Sequence, residues 1–203
     1  LSVEMVMATP LEHLRDTKAE GCTRCGLHRN RTRVVFGEGP EDADILIIGD
    51  APSDAEDEYG LPFKGKPGAL LDNLLKRAGV PRETVYLATV VKCRTPEGRQ
   101  PEEDEVQSCA VFLHLQIRLI RPKVIVAVGE FAGQLLADEV GTPLKTLRNR
   151  VWEYENKVTG YKCPVMVTYH PKWLLHRLRG SNAKLDAQRL LGDIERAVEL
   201  SQR

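Results

Sequence analysis

The sequence predicts an α/β fold of three layers, in which a central, mostly parallel four-stranded sheet lies between two layers of helices. Short, continuous apolar runs are typical of strands that are buried on both faces. Segments with helical apolar spacing alternate with these runs, and this alternation favours a parallel sheet covered by helices on both sides. The four expected strands are Asp44–Gly49, Val85–Val91, Lys123–Val128 and Pro164–Thr168.

Four main helices are expected between and after the strands. The first carries leucines at helical spacing and ends at Gly79, a typical stop signal. The second follows Pro101 and has acidic residues in its first turn, which favour a helix N-terminus. A short third helix follows Gly129, and the terminal helix is amphipathic. The expected helices are Pro67–Ala78, Glu102–Ile120, Glu130–Ala137 and Asn182–Leu200.

Length and charge limit the possible classes of protein. With 203 residues, the chain is expected to form a single domain, residues 1–203, with a sizeable core. Lys+Arg and Asp+Glu both total 29, so the net charge is zero, but a local basic face can still bind nucleic acid. No apolar run is long enough to cross a membrane. We therefore expect a cytoplasmic monomer without membrane contact.

Four cysteines form a pattern typical of metal ligands. Cys22 and Cys25 form a C-x-x-C pair, and Cys93 and Cys109 follow far downstream. A bound ion or cluster would join the N-terminal arm, which is the segment before the first predicted strand, to the core. Because the second pair is not C-x-x-C, a zinc ribbon fits poorly. Ordinary thiols and a zinc-binding structural protein remain the alternatives, whereas disulfides are disfavoured because no secretory signal is evident. A buried free thiol is expected for Cys163.

Two polar residues follow predicted strands at the edge of the sheet where ligands bind in parallel sheets. Asp50 follows the first strand, where a carboxylate can orient a water or stabilise a developing cation; the alternative is a simple turn. His170 follows the fourth strand, in a position that suits an active-site loop, and the alternative is a structural histidine. The acidic residues 54–58 are expected to form a solvated loop.

Basic and aromatic residues close to these strand ends suit contacts with a nucleic acid. Gly65 lies in a loop that precedes a helix N-terminus and suits a phosphate backbone. Phe63 is placed to stack on a flat ring, although a lone Phe is more often a core residue. A basic-aromatic turn follows His170, and its Trp173 is placed either to wedge into a base stack or to pack the last helix. The residues expected to contact a nucleic acid are Lys64, Lys66, Arg94, Lys172, Trp173 and Arg177.

Taken in order, these segments resemble the uracil-DNA glycosylase superfamily, most closely its iron–sulfur family 4. Any one motif is weak, but six motifs in family order with this cysteine spacing are a specific match, and they span about Cys22 to Arg177. The four cysteines look like the ligands of a [4Fe–4S] cluster. The other matching segments are Val35-Phe36-Gly37-Glu38-Gly39, Gly49-Asp50-Ala51-Pro52-Ser53, Gly60-Leu61-Pro62-Phe63-Lys64-Gly65, Val90-Val91-Lys92-Cys93-Arg94 and Thr168-Tyr169-His170-Pro171.

The resemblance implies a monofunctional DNA glycosylase that flips a pyrimidine out of the stack and hydrolyses its N-glycosidic bond. Phe63 would stack on the flipped ring, and Ala51 and Thr89 would contact its edge. His170 would stabilise negative charge on the departing base, and Asp50 would position water or stabilise the cationic sugar. The implied partner is DNA, single- or double-stranded, and the cluster would be structural.

Three positions depart from the family pattern. Asp50 replaces the usual Glu, Ser53 replaces Gly, and Thr89 replaces the Asn that reads the uracil edge. Asn offers an acceptor and two donors in a fixed plane, whereas Thr offers one rotatable hydroxyl and leaves more room. The sequence therefore leaves three interpretations open: excision of uracil, excision of a bulky modified cytosine of phage DNA in defence, and a non-catalytic DNA-binding member of the fold.

Overall fold

The computed structural model describes residues 8–148, 150–177 and 183–203. Within these ranges the chain forms a five-stranded sheet with helices on both faces, which confirms the predicted α/β class. The strands are β1 (Ile45–Gly49), β2 (Val85–Thr89), β3 (Val124–Val128), β4 (Val151–Glu155) and β5 (Lys162–Thr168). The helices are α1 (Pro10–Leu14), α2 (Asp54–Tyr59), α3 (Gly65–Arg77), α4 (Glu103–Ile120), α5 (Glu130–Ala137), α6 (Leu144–Leu147), α7 (Pro171–Arg177) and α8 (Ala183–Ser201).

The strand order is β2-β1-β3-β5-β4, and the first four strands in that order run parallel. The predicted number of four strands was wrong, because β4 adds an antiparallel edge strand beside β5. Its sequence, VWEYE, mixes apolar and charged residues because the strand lies at the edge, and Tyr154 is its one buried residue. A search for continuous apolar runs does not detect such a strand.

Each face of the sheet packs against its own layer of helices. On one face, Leu113 and Ile117 of α4 pack with the N-terminal arm and α5 against alternate residues of the strands. On the other face, Leu71 of α3 and Ile194 of α8 pack against the intervening strand residues. The central strand β1 is buried along its whole length, as expected for a parallel strand covered on both sides.

The predicted helices are present within two residues of their expected bounds, except that Asn182 lies outside the described residues. The expectation of a solvated acidic loop at residues 54–58 was wrong, because these residues form α2 and two of them, Glu56 and Asp57, are buried. Both oxygens of the Asp57 carboxylate accept from the single backbone N–H group of Thr32, at N–O distances of 2.8 and 2.9 Å. That contact joins α2 to the N-terminal arm.

None of the helices in the described part of the chain has the length and apolar character that a membrane span requires.

The sheet-facing side of α4 gives a direct test of this packing. Leu113→Ala should lower the free energy of unfolding by about 2–5 kcal/mol, because Leu113 is completely buried and the neighbouring strands cannot collapse into the cavity. Leu119→Ala, on the exposed side of the same helix, should change it by less than about 0.5 kcal/mol. Urea unfolding of both variants measures the difference, and equal losses would contradict the assignment of the faces.

Candidate active site

The register of the parallel strands brings four chain segments to one edge of the sheet. Gly49 at the end of β1 lies opposite Thr89 of β2 and Val128 of β3. Val128 in turn lies opposite Thr168 of β5. The residues that follow these strand ends therefore meet, as the sequence predicts for Asp50 and His170.

The Asp50 carboxylate lies at the N-terminus of α5. Its Oδ1 accepts a hydrogen bond from the backbone N–H of Ala132 at 2.8 Å. The positive end of the helix dipole favours a negative charge here. A Cβ atom on Gly129 would lie 2.4 Å from Asp50 Oδ2, so only glycine, with its φ of 127°, leaves space for the carboxylate. Burial raises the pKa of Asp50 to about 6, and the backbone N–H groups oppose that rise.

The side chains of Phe63, which precedes α3, and of His170, which follows β5, both lie at the end of β1. Their rings are nearly parallel, with an interplanar angle of 16° and centroids 5.9 Å apart. A Cβ atom on Gly49 would lie 3.1 Å from Phe63 Cζ and 3.5 Å from His170 Nε2, so the strand ends in glycine where the two rings meet. Phe63 is almost completely buried. An aromatic face and an imidazole nitrogen are thus brought together beside Asp50.

His170 is held as a neutral imidazole that can donate a hydrogen bond. Its Nδ1 accepts from the backbone N–H of Lys172 at 3.1 Å, which assigns the proton of the neutral ring to Nε2. Burial and, to a smaller extent, the positive charge of Lys172 together lower the pKa of His170 to about 4. Near neutral pH, His170 therefore offers an uncharged N–H group.

Thr89 ends β2 with an unused hydrogen-bonding group. The side chain is 2% exposed, and within the described residues Oγ1 contacts no hydrogen-bond partner. Strand alternation places it on the sheet face that carries Leu87, the face where Phe63 packs. The Thr89 carbonyl accepts from Lys92 Nζ at 2.7 Å. A buried hydroxyl without a partner is costly, and Thr89 Oγ1 retains an unused hydrogen-bonding capacity at this strand end.

An open cleft runs along this edge of the sheet. Ala51 and Ser53 line one side together with Asp50, and His170 and Trp173 line the other. The loop 95–101 and the Glu56 side chain also contribute to its walls. Sequence reasoning did not identify Glu56, although the spacing Ser53-x-x-Glu56 is that of a helix capping box and could have indicated it.

The six residues predicted to contact DNA differ in how free their side chains are. Lys66 and Lys172 are exposed, and Lys64 lies 3.5 Å from Glu38. Arg94 is held by Asp54 at 2.9 Å and Asp57 at 3.5 Å.

The remaining two predicted contacts, Trp173 and Arg177, lie on α7. Arg177 pairs with Asp186 at 3.0 Å, and its guanidinium lies over the ring of Trp173. That ring stacks on Tyr169 at 4.2 Å between centroids.

The two cations that flank Cys93 in the sequence differ in their exposure to solvent. Lys92 is completely buried, because its side chain turns inward over the Phe36 ring and toward the Thr89 carbonyl. Burial lowers its pKa to about 7. Of the two cations that flank Cys93 in the sequence, only Arg94 reaches the surface.

The four cysteines of the predicted metal pattern line one cavity, together with Arg31 and Lys92. Arg31 Nη1 donates to Cys93 Sγ at 3.3 Å and to the Cys22 carbonyl at 2.7 Å. The backbone N–H of Lys92 donates to Cys109 Sγ at 3.2 Å. These donors would stabilise thiolates, as in the ligand shells of metal centres.

The donor set of this cavity is of the kind that holds a metal centre, because four cysteine side chains line one space. Among the described residues, no three His, Cys, Asp or Glu side chains converge closely enough to hold one metal ion, although four cysteines surround one space. Burial raises the pKa of Cys109 to about 11, so its thiolate needs a bound cation. Cys163 lies elsewhere and is buried as predicted, with its thiol donating to the Pro122 carbonyl at 3.1 Å.

Comparisons with known proteins agree with this architecture. The model of the uracil DNA glycosylase superfamily matches residues 36–191. A type-4 uracil-DNA glycosylase of Thermotoga maritima is 40% identical over 180 residues, which cover 89% of each chain. A type-4 uracil-DNA glycosylase of Archaeoglobus fulgidus is 40% identical over 172 residues, or 82% of this chain and 85% of that protein.

A third relative, a type-4 uracil-DNA glycosylase of Pyrobaculum aerophilum, is 35% identical over 185 residues, or 90% of this chain and 94% of that protein. The match of the family model covers the sheet and both catalytic candidates, Asp50 and His170. The chain therefore belongs to the uracil-DNA glycosylase superfamily, and these three relatives are type-4 members of it.

Proposed function

We propose that the protein is a monofunctional DNA glycosylase that flips uracil or a modified pyrimidine out of DNA and hydrolyses its N-glycosidic bond, leaving an abasic site. The observation that carries this proposal is the meeting of Asp50, Phe63 and His170 at the end of β1. The similarity of the chain to type-4 uracil-DNA glycosylases supports the same class of reaction.

Base flipping is required because the bond to be cleaved lies inside the duplex stack. The flipped ring would stack on Phe63, and this contact would bury the apolar face of the base. As the bond to C1′ breaks, the electron pair moves onto the departing base and the sugar becomes cationic. The Nε2–H group of His170 would donate to the base O2, which carries part of the new negative charge. Water then adds to C1′ and gives up a proton to Asp50 or to solvent, while the departing base anion takes up a proton and leaves as the neutral base.

Asp50 would act on the sugar side of the same bond. Its ionised carboxylate, fixed by the N-terminus of α5, would stabilise the cationic sugar or hold the attacking water. Because Asp is one methylene shorter than Glu, the carboxylate stays close to α5. Lys66 and Lys172, whose side chains are exposed, would bind the phosphate backbone beside the cleft.

We further propose that Cys22, Cys25, Cys93 and Cys109 hold a [4Fe–4S] cluster. When bound, the cluster supplies a structural anchor that fixes the N-terminal arm to the core. The hydrogen bonds from Arg31 and from the Lys92 backbone would stabilise its ligands. In this view residues 1–203 form one domain whose arm is joined to the core at the cluster.

The cluster proposal predicts iron and sulfide at about four each per chain in anaerobically purified protein. Cys22→Ser should lose iron and destabilise the fold, because the arm then lacks its anchor. Cys163→Ser, which changes an equally small buried thiol away from the cavity, should keep its iron. Iron and sulfide analysis of both variants measures this, and full iron retention in Cys22→Ser would exclude the assignment.

The pH dependence of catalysis should separate the two catalytic residues. Single-turnover base release should fall about tenfold per pH unit below pH 6, because protonation removes the charge of Asp50. Asp50→Asn should abolish this acidic limb. His170→Ala should slow base release about a hundredfold but retain the limb, because His170 stays neutral above a pKa of about 4. A limb that persists in Asp50→Asn would assign the titration elsewhere.

Thr89 favours a second candidate substrate, a bulky modified cytosine. Its buried hydroxyl has no partner in the described chain, and it is smaller than the Asn of the family. A hydroxyl both donates and accepts, so it can pair with an amino group as well as with a carbonyl. The space left by the shorter side chain would admit a substituent.

Thr89→Asn should raise the excision rate on uracil and lower it on the bulky base, so that the ratio of the rates shifts at least about tenfold. Thr89→Val keeps the volume and removes the hydroxyl, so it separates hydrogen bonding from space. Single-turnover rates of the three proteins on both DNAs measure the ratio. An unchanged ratio in both variants would show that Thr89 does not contact the base.

A further inference from the structure

The buried carboxylate of Glu56 connects two segments of the candidate active site. Its Oε2 accepts hydrogen bonds from Ser53 N at 2.6 Å and from Ser53 Oγ at 2.5 Å. Its Oε1 accepts from the backbone N–H of Phe63 at 2.5 Å. Glu56 is 8% exposed and lines the cleft. One side chain thus ties the loop after β1 to the residue that faces His170.

The backbone of Phe63 needs such support because it is strained. Its φ is 53°, in the left-handed region that non-glycine residues rarely adopt. Two other residues, Arg82 and Gly68, contact the backbone around Phe63. Arg82 donates to the Pro62 carbonyl at 3.1 Å and to the Phe63 carbonyl at 3.4 Å. Gly68 approaches so closely that an added Cβ would lie 1.7 Å from the Phe63 oxygen.

A strained residue that several contacts hold in place is typical of an active site. We propose that Glu56 is a positioning residue for base excision: through the Phe63 N–H, its carboxylate fixes the conformation that presents the Phe63 ring to the flipped base. This inference rests on the proposed glycosylase function. Ser53, which stands where the family has Gly, adds a further hydrogen bond to the same carboxylate.

The test is a double-mutant cycle with Phe63. Glu56→Gln places an amide N–H₂ against the donors at Ser53 and Phe63, so at least one donor loses its acceptor. We expect single-turnover uracil release to slow about tenfold to a hundredfold, as for a catalytic group displaced by about an ångström. In the Phe63→Ala background the same change should slow it less than about twofold, because the ring that Glu56 positions is absent.

Asp57→Asn is the matched control, because Asp57 is an equally buried carboxylate on the same helix that binds the arm at Thr32 rather than Phe63. Its effect should be equally large in the wild-type and Phe63→Ala backgrounds. Should Glu56→Gln not fold, Gly68→Ala displaces the same Phe63 peptide and should show the same dependence on the ring. An effect of Glu56→Gln or Gly68→Ala that is undiminished in Phe63→Ala would overturn the proposal.

The wild-type rate separates this inference from the function on which it rests. Release of free uracil by the wild-type protein establishes the reaction, and the cycle then decides the role of Glu56. If the wild type releases no base from any pyrimidine-modified DNA, the glycosylase function fails, and the role of Glu56 in catalysis fails with it.

Discussion

The parallel pairing of β1 with both of its neighbours is the constraint on which the candidate site depends. Because Gly49 lies opposite both Thr89 and Val128, three strands end at the same level. Asp50 and His170 are 120 positions apart in the sequence and meet only because of this register. A slip of one residue in any of these strands would turn its side chains to the opposite face and separate the groups.

The strands and long helices could be predicted from the sequence, because continuous apolar runs and leucine spacing reflect local burial. The edge strand β4 could not be found in this way, because one of its faces is half exposed. Neither could the burial of Asp57, whose partner Thr32 lies 25 positions away. The position of the Asp50 carboxylate depends on the absence of a side chain at Gly129, and no local pattern predicts such a contact.

Buried side chains connect the cysteine cavity to the candidate active site, although different segments of the chain form the two sites. Lys92 lines the cavity and donates to the Thr89 carbonyl, so one buried side chain contacts both places. Asp57 joins the arm to α2, whose neighbouring residue Glu56 holds Phe63. An anchor at the cysteines would therefore stabilise the geometry of the active site as well as the arm.

The glycosylase function is tested most directly by mass spectrometry of the free bases released when excess protein is incubated with DNAs containing uracil or bulky modified cytosine. We expect one of these pyrimidines to be released intact and its DNA strand to carry an abasic site. Tight DNA binding without release of any base, by protein that contains its full complement of iron, would exclude the glycosylase function and identify a non-catalytic member of the superfamily.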